Sequence, residues 1–215
     1  MSARPPLVVA GALAGEHLAV LRDARTGAPA FRRAAAALAT LVLAEALRDL
    51  EAAEDEIVTP LAVARVPRPA RRVTVVPVLR AGLALMQPAL DLLPESARVG
   101  FLGLSRDERT LEARTYLSNL PGGLGEDEVV VLEVMIATGG SSASALSAVR
   151  AAGARRSRLV GLVAAPEGLA EVARVHPDVP VTVAAIDDCL NDSGFIVPGL
   201  GDAGDRLFAS TPSSR

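Results

Sequence analysis

The sequence predicts an α/β fold, a doubly wound, mostly parallel sheet flanked by helices. Short apolar runs rich in β-branched residues recur at Val73–Leu79, 98–104, Glu128–Leu132, 158–163 and 181–186. Stretches with helical character alternate with them, which is the pattern of parallel strands joined by helical crossovers. Ligands of such sheets sit at the carboxyl ends of the strands. That directs attention to Arg80, the loop from Ser105, the turn from Glu133 to Ser141, and Asp187 onward.

The elements follow in order. Arg4-Pro5-Pro6 and the apolar residues 7–14 faintly resemble a signal peptide, but the apolar part is short and broken by Gly11. Residues 31–50, rich in alanine and leucine, predict a helix. Residues 51–72 mix acids, prolines and arginines and read as a surface connection. Val73–Leu79 reads as a buried strand, although Pro77 argues against a fully central place. Arg80, Ala81 and Gly82 then turn into an apolar helix that ends near Leu93, before Pro94. Residues 98–104 form a second strand. The polar stretch 105–121 ends in Pro-Gly-Gly; an excursion of that length is usually functional or an interface arm. Glu128–Leu132 is a third strand, followed by a turn at 137–142 and a helix at 143–152. Residues 158–163, 167–175 and 181–186 read as strand, helix and strand. The remainder, 187–215, reads mostly as loop with a frayed end over 210–215.

Composition removes several classes of function. All 22 basic residues are arginine, so a Walker A lysine and a Schiff-base lysine are both excluded. One cysteine, Cys189, and two histidines, His17 and His176, cannot build a Cys/His zinc cluster, and no disulfide can close within the chain. A reducing, cytoplasmic setting fits. Five aromatic residues and a net charge of −3 argue against a nucleic-acid surface. No apolar run reaches the roughly 18 residues of a membrane span.

Four places carry chemistry. Thr138-Gly139-Gly140-Ser141 combines two glycines, two hydroxyls and a helix start. It reads either as an anion cradle for a phosphate monoester or as an ordinary turn capped by Ser141 or Ser142. Glu133, at a strand end, is either a ribose-hydroxyl acceptor or a solvated carboxylate. Arg80 and Arg106 are either anion ligands or solvated charges. Gly199-Leu200-Gly201-Asp202-Ala203-Gly204 spells G-x-G-x-x-G, but it follows Pro198 rather than a clear strand and leaves no room for a βαβ unit. It reads better as an exposed backbone loop whose N–H and C=O groups meet the edge of a small planar ligand. Asp202 and Asp205 there could face a metal-bound pyrophosphate. His176 reads as a loop residue.

Five blocks, in order and spacing, resemble the uracil phosphoribosyltransferase family. They are Val76-Pro77-Val78-Leu79-Arg80-Ala81-Gly82-Leu83, Met135-Ile136-Ala137-Thr138-Gly139-Gly140-Ser141, Val163-Ala164-Ala165-Pro166-Glu167-Gly168, His176-Pro177-Asp178, and the stretch from Ile196 to Arg206. The resemblance runs from about Leu18 to Ala209. It implies a type I phosphoribosyltransferase fold in a single domain, 1–215. A small hood would come from about 1–35 and 187–205, and a protruding dimer arm from about 105–121. It implies transfer of ribose 5-phosphate from phosphoribosyl pyrophosphate (PRPP) to uracil, giving UMP and pyrophosphate, with Mg²⁺ on the PRPP and a homodimer or higher homo-oligomer as partner state. Arg80 and Arg106 would hold pyrophosphate, and Glu133 with Met135, Ile136, Ala137, Thr138, Gly139, Gly140 and Ser141 would form the ribose-5-phosphate loop. Ile196, Gly201 and Ala203 would read uracil, and Asp202 would touch PRPP.

The chain departs from the family at several positions. Glu133-Val134 stands where the family has Asp-Pro, and Ser105 and Phe195 where it has tyrosines. Arg109 stands where it has an acid, and Ala44 and Leu47 where it has tyrosine and threonine. These departures leave two further possibilities: a relative using another pyrimidine-like base, or a non-catalytic PRPP- or UMP-binding regulator.

Overall fold

The computed structural model describes residues 4–106 and 113–209, with only the backbone of Arg106, Ala113 and Arg114. Arg109, the tip of the excursion at 107–112 and the tail at 210–215 lie outside the described residues. In chain order the elements are β1 (Leu7–Val8), α1 (Ala12–Arg22), α2 (Ala28–Ala46), β2 (Ala52–Val58), β3 (Val63–Pro69), β4 (Val73–Leu79), α3 (Leu83–Leu92), β5 (Arg98–Val99), β6 (Phe101–Arg106) and β7 (Ala113–Asn119). A short 3₁₀ turn (Leu124–Glu126) leads to β8 (Glu128–Leu132), β9 (Met135–Ile136), α4 (Gly140–Ala151), β10 (Arg156–Val160), β11 (Val163–Ala164), α5 (Pro166–Val175), β12 (Val181–Val183), β13 (Ala185–Ile186), β14 (Cys189–Leu190), β15 (Ile196–Val197) and α6 (Ala203–Phe208).

The main sheet runs β1-β12-β10-β8-β4-β6-β7, with β5 also beside β4. All its pairs are parallel except β6–β7. The apolar runs of β4 and β8 are buried on both faces, as a sheet covered on both sides requires. On one face α1, α2, α3 and α6 pack through residues such as Phe31, Leu38, Leu43, Leu85 and Leu207. On the other, α4 and α5 pack through Leu146, Val149 and Val172. A three-stranded parallel layer, β13-β11-β9, extends the sheet beyond the carboxyl ends of β8, β10 and β12.

Several sequence expectations are corrected. The connection expected over 51–72 is an antiparallel hairpin, β2–β3, paired with nothing but itself. Its strands are almost wholly exposed, so neither face carries the apolar alternation that marks a strand in sequence. Within 105–121, the strand β7 folds back on β6. Leu7 and Val8, left without an element in the sequence reading, form an edge strand beside β12. The expected loop over 187–215 contains the β14–β15 hairpin and the short helix α6.

Pro77 does sit centrally. The carbonyl of Val75 accepts from Gly100 N–H, so alternate residues Val75, Pro77 and Leu79 face β5 and β6. The ladder on that side is interrupted between Val75↔Val99 and Val78↔Leu102, so no strand bond requires the N–H that Pro77 lacks. His176, expected in a loop, ends α5 and is buried. Its Nε2 lies 3.0 Å from the carbonyl of Ala143, so it carries the proton and ties α5 to α4.

Candidate active site

Parallel strands bring Arg80, Arg106, Glu133 and Asp187 to one edge, because each follows or ends a strand running the same way. The turn over 137–139 follows β9. Its path depends on Gly139, which has φ +80°. A Cβ on Gly139 would lie 2.4 Å from the carbonyl oxygen of Gly168, and one on Gly168 would lie 2.4 Å from that of Ala137. The turn therefore rests backbone on backbone against the first turn of α5. Sequence reasoning did not single out Gly168. Its signal was a glycine inside a helix start, where only close approach of another chain segment explains the absent side chain.

Helix α4 begins at Gly140, with Gly139 as its N-cap and no side-chain cap. The expected cap by Ser141 or Ser142 is not formed. Serine does not suit the left-handed N-cap conformation that Gly139 adopts. The opening N–H groups of α4, from Gly140 on, have no helical acceptor of their own. Together with the helix dipole they favour an anion. Ser141 is exposed beside them, and Ser142 is buried.

Ser142 turns inward instead and hydrogen-bonds the carboxyl group of Glu133. Glu133 is only 7% exposed, which overturns the solvated reading, and its Oε1 has no partner. Burial pushes the carboxyl up to about 8, against the opposing pull of Ser142. Val134, in place of the family's proline, is fully buried.

Arg80 is exposed and follows β4 through a cis peptide bond; among the described residues it has no ion pair. It approaches Asp202 across Gly204: a Cβ at Gly204 would meet Asp202 Oδ1 at 3.2 Å and Arg80 Nη2 at 3.9 Å. Asp202 caps α6, its Oδ1 accepting from Asp205 N–H at 3.0 Å. The chain thus brings together two groups 122 positions apart, a cation and a carboxylate, at one mouth. The backbone of Arg106 ends β6 at the same edge.

Ile196 lies in β15, buried, while Gly201 is exposed with φ +75° and Ala203 is buried at the start of α6. Gly199, also in the left-handed region at φ +61°, would place a Cβ 2.1 Å from the carbonyl of Ile196. At its two left-handed glycines this tight loop presents main-chain groups and no side chains. Met135, Ile136, Ala137 and Thr138 line the path from β9 to Gly139. A cavity of about 600 Å³ is lined by Val9–Ala14 together with Leu41, Ala44, Glu45 and Arg48, and by none of these site residues.

Comparison with known proteins bears on this arrangement. A family model described as uracil phosphoribosyltransferase matches residues 8–210. The uracil phosphoribosyltransferase of a Roseiflexus species is 48% identical over 198 residues, spanning 92% of this chain and 95% of that protein. The one from Thermus thermophilus is 47% identical over 199 residues, spanning 92% and 95%. Among solved structures, the AQ2163 protein from Aquifex aeolicus is 36% identical with a TM-score of 0.91, covering 97% of this chain and all of that one. A hypoxanthine-guanine phosphoribosyltransferase from Bacillus anthracis shares only 12% identity at a TM-score of 0.53, over 74% of this chain and 82% of that one, and bears on fold alone. With the glycine-built helix start and the arginine–aspartate mouth in one sheet edge, these matches over nearly the whole chain place it in the uracil phosphoribosyltransferase family.

Proposed function

We propose that this protein transfers ribose 5-phosphate from PRPP to N1 of uracil, giving UMP and pyrophosphate, as a pyrimidine-salvage pentosyltransferase. The observation that carries the reading is the uncapped, glycine-built start of α4 on the edge that also carries Arg80, with Arg80 and Asp202 both beside Gly204. In the reaction the C1–O bond to pyrophosphate breaks, a C1–N1 bond forms, and the N1 proton leaves to solvent. The backbone N–H groups at Gly139, Gly140 and Ser141 hold the 5-phosphate. Arg80 pairs with the departing pyrophosphate through a forked guanidinium contact, and Arg106, whose backbone ends the neighbouring strand β6, is its partner in that role. Glu133 keeps one oxygen on Ser142 and offers the other to a ribose hydroxyl. Main-chain groups at Ile196, Gly201 and Ala203 read the amide edge of uracil. Cytosine would leave a buried group unpaired there, at a cost of about 1–3 kcal/mol. Holding both reactants in line supplies much of the rate enhancement.

Mg²⁺ fits this site as part of the PRPP complex. Among the described residues no group of three His, Cys, Asp or Glu side chains forms a cage for an ion. Asp202 is the carboxylate placed to face one carried by pyrophosphate oxygens. When bound, the ion offsets negative charge on the leaving group.

The same reading includes a homo-oligomer. Its support is the β2–β3 hairpin, whose end exposes Val58 (87%), Leu61 (97%) and Val63 (62%). A lone two-stranded hairpin is marginal in water, so a covering partner suits it. A cytoplasmic setting suits the exposed free Cys189. Among the described residues no helix is long and apolar enough to cross a membrane.

The test is pyrophosphate release from PRPP and Mg²⁺ with uracil, with UMP identified as product. Release requiring uracil is expected. Folded protein that forms no UMP at saturating PRPP overturns the reading, and release with another base alone transfers it to that base.

A further inference from the structure

The loop assigned to the acceptor base is held from outside by two residues that no part of that assignment uses. Arg22, the last residue of α1, makes a fork onto Asp187: Nη2 donates to Oδ1 at 2.6 Å and Nη1 to Oδ2 at 2.8 Å. Both then reach Gly199. Arg22 Nη1 donates to the Gly199 carbonyl at 3.0 Å, and Gly199 N–H donates to Asp187 Oδ2 at 2.8 Å. So both polar backbone groups of Gly199 are gripped by one ion pair.

The grip is rigid at its base. Asp187 N–H donates to the carbonyl of Ala164 in β11 at 2.8 Å, which fixes it to the strand layer. Its side chain is only 4% exposed, while that of Arg22 is 27% exposed. Burial pushes the Asp187 carboxyl up, but Arg22 and Gly199 N–H outweigh it and hold the group below its ordinary value. The carboxylate is therefore ionised at neutral pH. Beside the pair, Arg206 secures the next residue, donating to the Leu200 carbonyl at 2.9 Å and to the carbonyl of Asp23 at 2.7 Å, and it stacks 4.4 Å from the Phe31 ring centroid. The segment linking α1 to α2 is thus bound to the loop at two successive residues.

Gly199 lies between the base-reading groups: Ile196 precedes it, and Gly201 and Ala203 follow. Its left-handed backbone is viable only as glycine, so the loop has no side chain there with which to brace itself. We infer that Arg22 and Asp187 are positioning residues for the acceptor base, holding Gly199 so that the main-chain groups on either side of it stay in register with uracil's amide edge. The inference rests on the proposed function above. The hydrogen bonds that hold the pair run to Gly199 and Ala164, so its effect falls on the acceptor base before PRPP.

The experiment is steady-state kinetics on the full chain, with uracil and PRPP varied separately, for the wild type, Arg22→Lys and Asp187→Asn. Arg22→Lys keeps a positive charge but cannot reach both Asp187 oxygens and the Gly199 carbonyl as a fork. It is expected to raise KM for uracil about tenfold, equivalent to about 1.4 kcal/mol, with KM for PRPP changed less than twofold. Asp187→Asn is expected to do the same or more. If it fails to fold, Arg22→Lys alone decides. Equal increases in both KM values, or a fall in kcat alone, would show a merely structural pair and overturn the inference. So would an unchanged KM for uracil in a folded variant. In each of those cases wild-type UMP formation leaves the proposed function standing. A wild type that forms no UMP removes the proposed function, and the inference with it.

Discussion

Replacing Glu133 by glutamine tests directly the buried carboxyl that follows β8. The carboxyl is buried, holds Ser142 with one oxygen, and leaves the other unpaired. Its acidity is displaced from an ordinary 4.5 to about 8. The folded protein therefore binds a proton here that the unfolded chain has already lost, and stability falls as pH rises between those values. Each unit is worth about 1.4 kcal/mol, so between pH 5.5 and 8.5 this one group should withdraw up to about 3 kcal/mol. Glutamine occupies the same volume and does not titrate. It places an N–H₂ group where a proton sits at low pH, at a cost of about 1–3 kcal/mol if that group finds no acceptor. Urea unfolding of both proteins at pH 5.5 and 8.5 separates these effects, because every contribution other than that of Glu133 cancels in the difference. The wild type should equal or exceed Glu133→Gln at pH 5.5, and the variant should gain about 3 kcal/mol relative to it by pH 8.5. A difference that stays constant within about 0.5 kcal/mol would refute the reasoning, since Glu133 would then be ionised and hydrated throughout.

Other outcomes follow from the same geometry. Gly168→Ala should destabilise the fold by about 2 kcal/mol or more and raise KM for PRPP, because its Cβ would lie 2.4 Å from the Ala137 carbonyl; calorimetry and initial rates check both. Arg80→Lys should lower kcat/KM for PRPP at least tenfold through loss of the forked contact while leaving the melting temperature within about 2 °C, since Arg80 is exposed and makes no ion pair among the described residues. Below about pH 4 the protein should lose stability steeply. Asp127 and Asp187 are both held below their ordinary value, burial opposing and the hydrogen bonds of Thr74 and Arg98 to the first and of Arg22 and Gly199 N–H to the second prevailing, so their contribution is present above that range and vanishes as they protonate. An acid-denaturation curve for Arg98→Gln should then be shifted to higher pH, because Arg98 pairs with Asp127. Changing Val58, Leu61 and Val63 together to serine should shift sedimentation toward smaller species without unfolding the sheet, which those residues do not join.

The apolar runs of β4 and β8 were legible because burial on both faces needs β-branched residues and little else. The alternation of those runs with helices then dictated parallel pairing and placed the site at the carboxyl edge. The β2–β3 hairpin was invisible for the opposite reason. Among the described residues Ala52–Val58 pairs with β3 alone and is almost wholly exposed, so no apolar period marks it. Helix α6 was missed because six residues carry too little pattern to separate helix from loop.

Of the site, the sequence by itself determined the inventory. It supplied the glycines of the α4 turn, the arginine after β4 and the glycine-rich loop before α6, since each is a local backbone requirement written in a few adjacent residues. Tertiary structure alone decided how they meet. The contact of Gly139 with Gly168, the nearness of Arg80 to Asp202 and the hold of Arg22 on Gly199 join residues far apart in the chain, while the bonds from Ser142 to Glu133 and from Gly199 to Asp187 close shorter spans that no local pattern records. Local pattern records which backbone shapes and burials a segment can tolerate. Which distant group fills the space beside it depends on the packing of the whole sheet and its helices.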